Sequence, residues 1–188
     1  MQLRIPGIAL LFVIGGVAGL IGDHGHVVTG TLVYLPASHR VPFVWTSPIW
    51  FPALVGGATV LLAELRLHLG PARTTVTARQ GLGGVAAIVG AYAVTALAHT
   101  APAFVSTVLI GAIATITWSV LGDRFAVAGG VAIAIVGPAA EVAIEALDVF
   151  RYTHGSDGLF GVAPWLIPLY FAFGVVAALL AEIVTKKT

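Results

Sequence analysis

The chain has 188 residues, 59% hydrophobic and only 9% charged, against roughly 25% charged in soluble domains. A formal charge of +1 excludes a strong basic field for nucleic acid or anionic substrates. The absence of cysteine excludes disulfides, thiolate metal sites and thiol nucleophiles, so the composition points to an all-α integral membrane protein.

A helix needs about 20 mostly apolar residues to cross a bilayer. The run 5–21, behind Arg4, comes close to that length. No small-residue cleavage site follows it, so it is expected to span and not to be a signal peptide. The longest loop comes next, over 23–47, and its apolar piece 27–35 is too short to cross and is expected at the interface. Asp23, His24, His26 and His39 in that loop carry zinc-ligand chemistry, but nothing fixes a complete ligand set and no metal site is assigned.

The second span is expected over 48–67, with Pro48 and Pro52 in its first turns, where proline is tolerated. Glu64 and His68, one helical turn apart at its end, read as interfacial anchors. No charged residue lies between Arg79 and Asp123. That stretch is twice a bilayer's helical length, and His99-Thr100-Ala101-Pro102 divides it into spans over 81–98 and 103–121. The fifth span is expected over 125–147 and the sixth over 163–184, all within a single membrane domain of residues 1–188. With both termini cytoplasmic, the inner segments hold Arg4, Arg66, Arg73, Arg79, Arg124, Lys186 and Lys187, and the outer ones only Arg40 and Arg151. Six spans therefore give a clear positive-inside asymmetry that five would scatter.

Gly15 and Gly19 form a GxxxG pair, and Gly56, Gly57, Gly84, Gly90, Gly129 and Gly130 add small faces. These either bring helices close together or reflect an Ala/Gly-rich composition. Gly137-Pro138 interrupts the fifth span; the proline frees the Ala134 carbonyl, and a kink at Pro138 is expected to shape a cavity wall. Glu141, Glu145 and Asp148 follow on one helix face. They either form a proton, cation or headgroup site within the membrane or mark the helix end against Arg151 or Arg40. Tyr92 with Thr95, and Thr107 with Gly111, Thr115 and Trp118, make mixed apolar and hydroxyl faces. Such faces suit a ligand with an apolar body and few polar groups, or ordinary helix packing with back-bonded hydroxyls. There is no G-x-S-x-G, no phosphate-cradling loop and no H-E-x-x-H, so an enzyme is not expected.

Several ordered pieces resemble the Insig (insulin-induced gene) family of six-span membrane proteins. Thr46-Ser47-Pro48-Ile49-Trp50-Phe51-Pro52 is similar to that family's entry to the second span, and His68-Leu69-Gly70-Pro71 to the stretch following it. Trp118, Asp123-Arg124, Gly129 and Gly130 resemble its Trp, Asp-Arg and Gly elements. Tyr152-Thr153, Asp157 and Pro164-Trp165-Leu166-Ile167-Pro168 resemble its Tyr-Thr, Pro-Asp and Trp-Leu-Pro elements. The match runs from about residue 46 onward. Trp118 stands slightly further from the Asp-Arg pair than in the family, the segment from Tyr152 to Trp165 is slightly longer, and the carboxylates at 141, 145 and 148 replace largely neutral positions.

The resemblance implies a membrane-embedded lipid sensor. Animal Insigs bind oxysterols and retain sterol-sensing partners in the endoplasmic reticulum, and the aspartate of the Asp-Arg element engages those partners, which points to Asp123. A short, Ala/Gly/Val-rich chain resembles a prokaryotic member in the bacterial plasma membrane, where animal-type partners are not expected. The ligand implied is a sterol or, in a bacterium, a diacylglycerol-like neutral lipid. The expectation is a non-enzymatic protein that needs no cofactor and holds that lipid in an interhelical cavity lined by Tyr92, Thr95, Thr107, Thr115 and Trp118. Its small-residue faces make a homo-oligomer plausible. The alternative is a small proton-coupled transporter using Glu141 and Glu145.

Overall fold

The computed structural model describes residues 2–186, so Lys187 lies outside the described residues. Six helices among them are long and apolar enough to cross a membrane. They are α1 (Ile5–Thr29), α2 (Trp50–Leu69), α3 (Ala78–Leu97), α4 (Ala103–Leu121), α5 (Arg124–Glu145) and α6 (Leu166–Thr185). Local chemistry fixes their ends. α1 stops where Gly30 turns left-handed at φ 76° and returns its N–H to the His26 and Val27 carbonyls. Thr77 and Gln80 form a capping box at the start of α3. The Asp123 carboxylate accepts the Phe125 and Ala126 N–H groups at 3.0 and 2.8 Å and so starts α5.

α6 is the central post. Ala172, Val175, Leu179 and Ala181 are fully buried on it, and α2, α3, α4 and α5 pack around it. α1 lies outside, against α2 and α3. Glycine permits the closest approaches: a Cβ on Gly174 of α6 would lie 2.7 Å from the Gly130 Cα of α5. Likewise a Cβ on Gly56 of α2 would lie 2.6 Å from the Phe12 carbonyl oxygen of α1. These are the small faces read from the sequence; Gly57 and Gly90, by contrast, face open space. The described ends of the chain meet at one end of the bundle, where Leu3 N–H donates to Glu64 (2.9 Å) and the Lys186 amine to the Val76 carbonyl (3.1 Å).

The other end carries two small antiparallel ribbons. β1 (Leu32–Tyr34) pairs with β4 (Phe150–Tyr152), matching Leu32 to Tyr152 and Tyr34 to Phe150. β2 (Phe43–Val44) pairs with β3 (Ser47–Pro48). This corrects the expected interfacial segment 27–35: its first residues belong to α1, and Leu32 is buried in a strand. The first span is also longer than 5–21. α1 runs on to Thr29 and carries Asp23 and His26 into the interior, 3% and 2% exposed, because polar partners await them there. α5 ends at Glu145, two residues short of the expected 147, and continues unbroken through Pro138.

Candidate functional site

A cavity of about 490 Å³ lies between α1, α2, α5 and α6, with Tyr92 of α3 at its inner wall. Its α1 wall runs from Gly15 to His26, about 16 Å at the helical rise. Most of the lining is apolar: Ala18, Leu62, Ile133, Ala140 and Phe173 among others. α2 and α5 flank it without packing closely along their length. Leu54, Leu61 and Val136 on the two rims are 50%, 73% and 61% exposed, so the cavity opens sideways between these helices. In a membrane-spanning bundle that side faces hydrocarbon.

Polar groups gather at the end capped by β1 and β4. Glu141 of α5 accepts the Tyr152 hydroxyl at 2.7 Å and the Tyr170 hydroxyl at 2.5 Å. Asp23 of α1 accepts the Tyr34 hydroxyl at 3.0 Å and also the Ser47 hydroxyl. His26 Nε2 meets Thr95 Oγ1 at 2.8 Å, and its ring lies between Tyr92 and Trp165, with centroids 5.5 and 5.0 Å away. Burial, with the neighbouring carboxylate second, raises the pKa of the Tyr34 and Tyr152 phenols above the usual tyrosine range. Both therefore stay protonated and donate. The chamber is thus an apolar slot with a hydroxyl and carboxyl headpiece.

An INSIG protein homolog of Mycolicibacterium vanbaalenii is 61% identical over 187 residues, covering 100% of this chain and 91% of the relative. The chain belongs to the Insig family. The crystal structure of a mycobacterial Insig homolog, MvINS of Mycobacterium vanbaalenii, superposes with a TM-score of 0.96 at 61% identity, covering 100% of this chain and 98% of that one. A cross-linked MvINS trimer superposes at 0.97 and 60% identity, with the same coverage. A scan against family models gives no match.

Within this Insig fold the sequence-derived site divides. Tyr92 and Glu141 line the cavity, and Thr95 stands behind it on His26. Thr107, Thr115 and Trp118 do not line it. Thr107 and Thr115 bond back to the Ala103 and Gly111 carbonyls at 2.7 and 2.8 Å, and Trp118 is 39% exposed with its indole N–H 3.4 Å from the Asp123 carbonyl. The face of α4 that turns inward is Ser106, Ile110, Ala114 and Thr117, one residue out of step. Pro138 also misses the cavity; it borders a more open groove on the opposite side of α5, shared with Gly111 and Thr115. Its neighbour Gly137 shapes the cavity wall instead, lying flat against the Tyr170 ring. Glu145 parts from Glu141 and lies 3.9 Å from exposed Arg151, so the two carboxylates do not form a pair. Sequence reasoning missed Tyr34 and Tyr170, and Asp23 and His26 as cavity residues. The signal was there: Gly15, Gly19, Gly22, His26 recur at helical spacing, extending the small face of α1 past residue 21.

At the opposite end of the bundle, Asp123 of the Insig Asp-Arg element caps α5 and also pairs with Arg66 at 2.8 Å. Arg66, 1% exposed, further bonds Glu182, the Gly70 and Pro71 carbonyls (3.2 Å each), and lies over the Phe125 ring. Arg73 closes the cluster on Glu182 at 2.6 Å and on the Leu121 and Gly122 carbonyls. The cluster ties together α2, α6 and the α4–α5 connection. Glu182, inside the sixth span, is the acid that neutralises two arginines, and no spacing or motif marks it for that role.

Proposed function

We propose that this Insig-family protein holds one membrane lipid in the cavity between α1, α2, α5 and α6. The observation that carries the reading is the shape and polarity of the chamber: apolar along its depth, open to hydrocarbon between α2 and α5, and polar only at the capped end. A neutral lipid with one or two hydroxyls, diacylglycerol-like or a sterol, would place its chains or rings against Leu62 and Ile133 and its hydroxyls near Glu141 and Asp23. The protein binds the lipid, and the hydroxyls of Tyr34, Ser47, Tyr152 and Tyr170 hold the two carboxylates in place beside it. The arginine-rich end is assigned to the cytoplasm of a bacterial plasma membrane by the positive-inside rule. Self-association is supported by the cross-linked trimer of MvINS.

Mass spectrometry of lipids that co-purify with the protein, set against the bulk membrane extract, tests the reading. Gly57 lines the cavity and a Cβ there meets nothing within 4 Å, so Gly57→Phe fills the slot without a backbone clash. One lipid class is expected near one per protein in the parent chain and depleted in Gly57→Phe. A bound-lipid profile equal to the bulk in both would sink the proposal. Proton-coupled flux would then be sought on Glu141 alone.

A further inference from the structure

The formal charge of +1 hides a polarised molecule. At the end of the bundle where the described termini meet, Arg4, Arg66, Arg73, Arg79, Arg124 and Lys186 stand against only three acids. All three acids are engaged within the protein. Glu64 accepts the Leu3 N–H and lies beside His68, Asp123 pairs with Arg66, and Glu182 pairs with Arg66 and Arg73. Arg4, Arg79, Arg124 and Lys186 are exposed, and none of them has an acid partner among the described residues. At the ribbon end the balance reverses: five acids stand against Arg40 and Arg151.

Three of the unpaired cations sit where helix chemistry does not ask for them. Arg4 caps the start of α1, Arg79 is the second residue of α3 and Arg124 the first of α5, and no acid occupies the first turn of any of the three. The start of a helix already carries partial positive charge, so a cation there costs stability. Each is an arginine, whose flat fork of donors matches paired phosphate oxygens, where a lysine would serve equally as a bare charge. Arg124 lies over the Phe125 ring at 4.7 Å, and that ring also carries Arg66 and packs against Gly70, so its guanidinium is held at the foot of the α2–α5 mouth. Lys186, on the Val76 carbonyl at 3.1 Å, adds a charge just ahead of α3.

We propose that this rim binds the phosphate headgroups of anionic membrane lipids, with Arg4, Arg79 and Arg124 as the receiving groups. A lipid leaflet is the partner that fits the layout. α1 packs on α2 and α3, whereas α5 packs on α6 and α2, so the arginines are spread around the edge of the bundle at the level where headgroups begin. One docked macromolecule would need them gathered on one face. The rim takes a headgroup at the edge, not a lipid body between the helices, so this inference stands apart from the cavity reading.

The test incubates the purified full chain with equimolar dioleoyl phosphatidylglycerol and dioleoyl phosphatidylcholine and measures bound lipid by mass spectrometry at low and high salt. Phosphatidylglycerol is expected to be enriched about fivefold or more at about 0.05 M salt, the ordinary weight of a basic side chain at an anionic surface, and to fall toward parity at about 1 M. Gln at positions 4, 79 and 124 together is expected to abolish the preference, and Lys at the same positions to keep most of it. Should the triple variant fail to fold, Arg124→Gln alone is expected to lose about a third of the bound phosphatidylglycerol, one station of three. Arg40→Gln, at the ribbon end, should change nothing. Gly57→Phe, which fills the cavity, should keep the preference; its loss there would place the anionic lipid in the cavity and overturn the rim. Equal retention of the two lipids by the parent chain, or a preference that neither salt nor the Gln variants reduce, would overturn it as well. Displacement by millimolar glycerol 3-phosphate would make a soluble phosphate ester the ligand and overturn the lipid source.

Discussion

Gly22 is a position where a single methyl group has a definite consequence. It lies on α1 directly against the Tyr92 ring, too close for any Cβ. Gly22→Ala must push Tyr92 toward the cavity, so it is expected to cost about 1–3 kcal/mol by overpacking and to lower the amount of co-purifying lipid. Thermal denaturation and lipid mass spectrometry on the same preparation check both. Thr95 gives a second case. Thr95→Val keeps the shape but leaves the buried His26 Nε2 without its hydrogen-bond partner, a loss of about 1–3 kcal/mol that Thr95→Ser should largely restore. Comparing the three denaturation midpoints decides it. These residues show what the sequence discloses and what it hides. Tyr92, Thr95 and Glu141 were legible because a hydroxyl or carboxyl inside an apolar run stands out. Asp23 and His26 sit past the end of the first hydrophobic run, where polarity alone reads as loop. Only their helical spacing from Gly15, Gly19 and Gly22 marked them as interior.

At the scale of elements, hydropathy located all six helices because lipid solvation demands long uninterrupted apolar stretches. It did not orient them. Hydrocarbon outside is as apolar as the core, so the outward Thr107–Thr115–Trp118 face of α4 is not distinguished by polarity from the inward Ser106–Ile110–Ala114 face. The β1–β4 ribbon was illegible for another reason: two three-residue strands, far apart in the chain, carry too little alternation to register. The charged cluster is the element-scale feature with the largest energetic stake. Removing one member of a buried ion network strands its partners without compensation. Glu182 is fully buried between Arg66 and Arg73, so Glu182→Gln is expected to cost about 3–5 kcal/mol. Glu64 near exposed His68 is a surface pair, and Glu64→Gln should stay within about 1 kcal/mol. Denaturation midpoints of the two variants in the same detergent test the contrast; equal losses would mean that the cluster does not anchor the bundle.

The whole molecule is built as a post with an unclosed side. α6 packs against α5, α4, α2 and α3, whereas α2 and α5 diverge and leave the cavity mouth between them. The Arg66–Asp123 pair joins α2 to the first turn of α5 at one end of the mouth, and the Glu141–Tyr152 bond holds α5 to the ribbon at the other. The mouth is thus held at both ends and open between, a geometry suited to sideways entry from the bilayer. Because the chain has no cysteine, a single introduced thiol can report on that route without background. Ala140 lines the cavity on α5, whereas Leu82 on α3 is 74% exposed and lies outside it. An Ala140→Cys variant stripped of lipid is expected to react readily with a small membrane-permeant maleimide, and to be protected when dioleoylglycerol is restored. A Leu82→Cys control should react at one rate with or without the lipid. Protection at Ala140 alone follows only if the lipid occupies this cavity; protection at both would mean that added lipid merely coats the bundle.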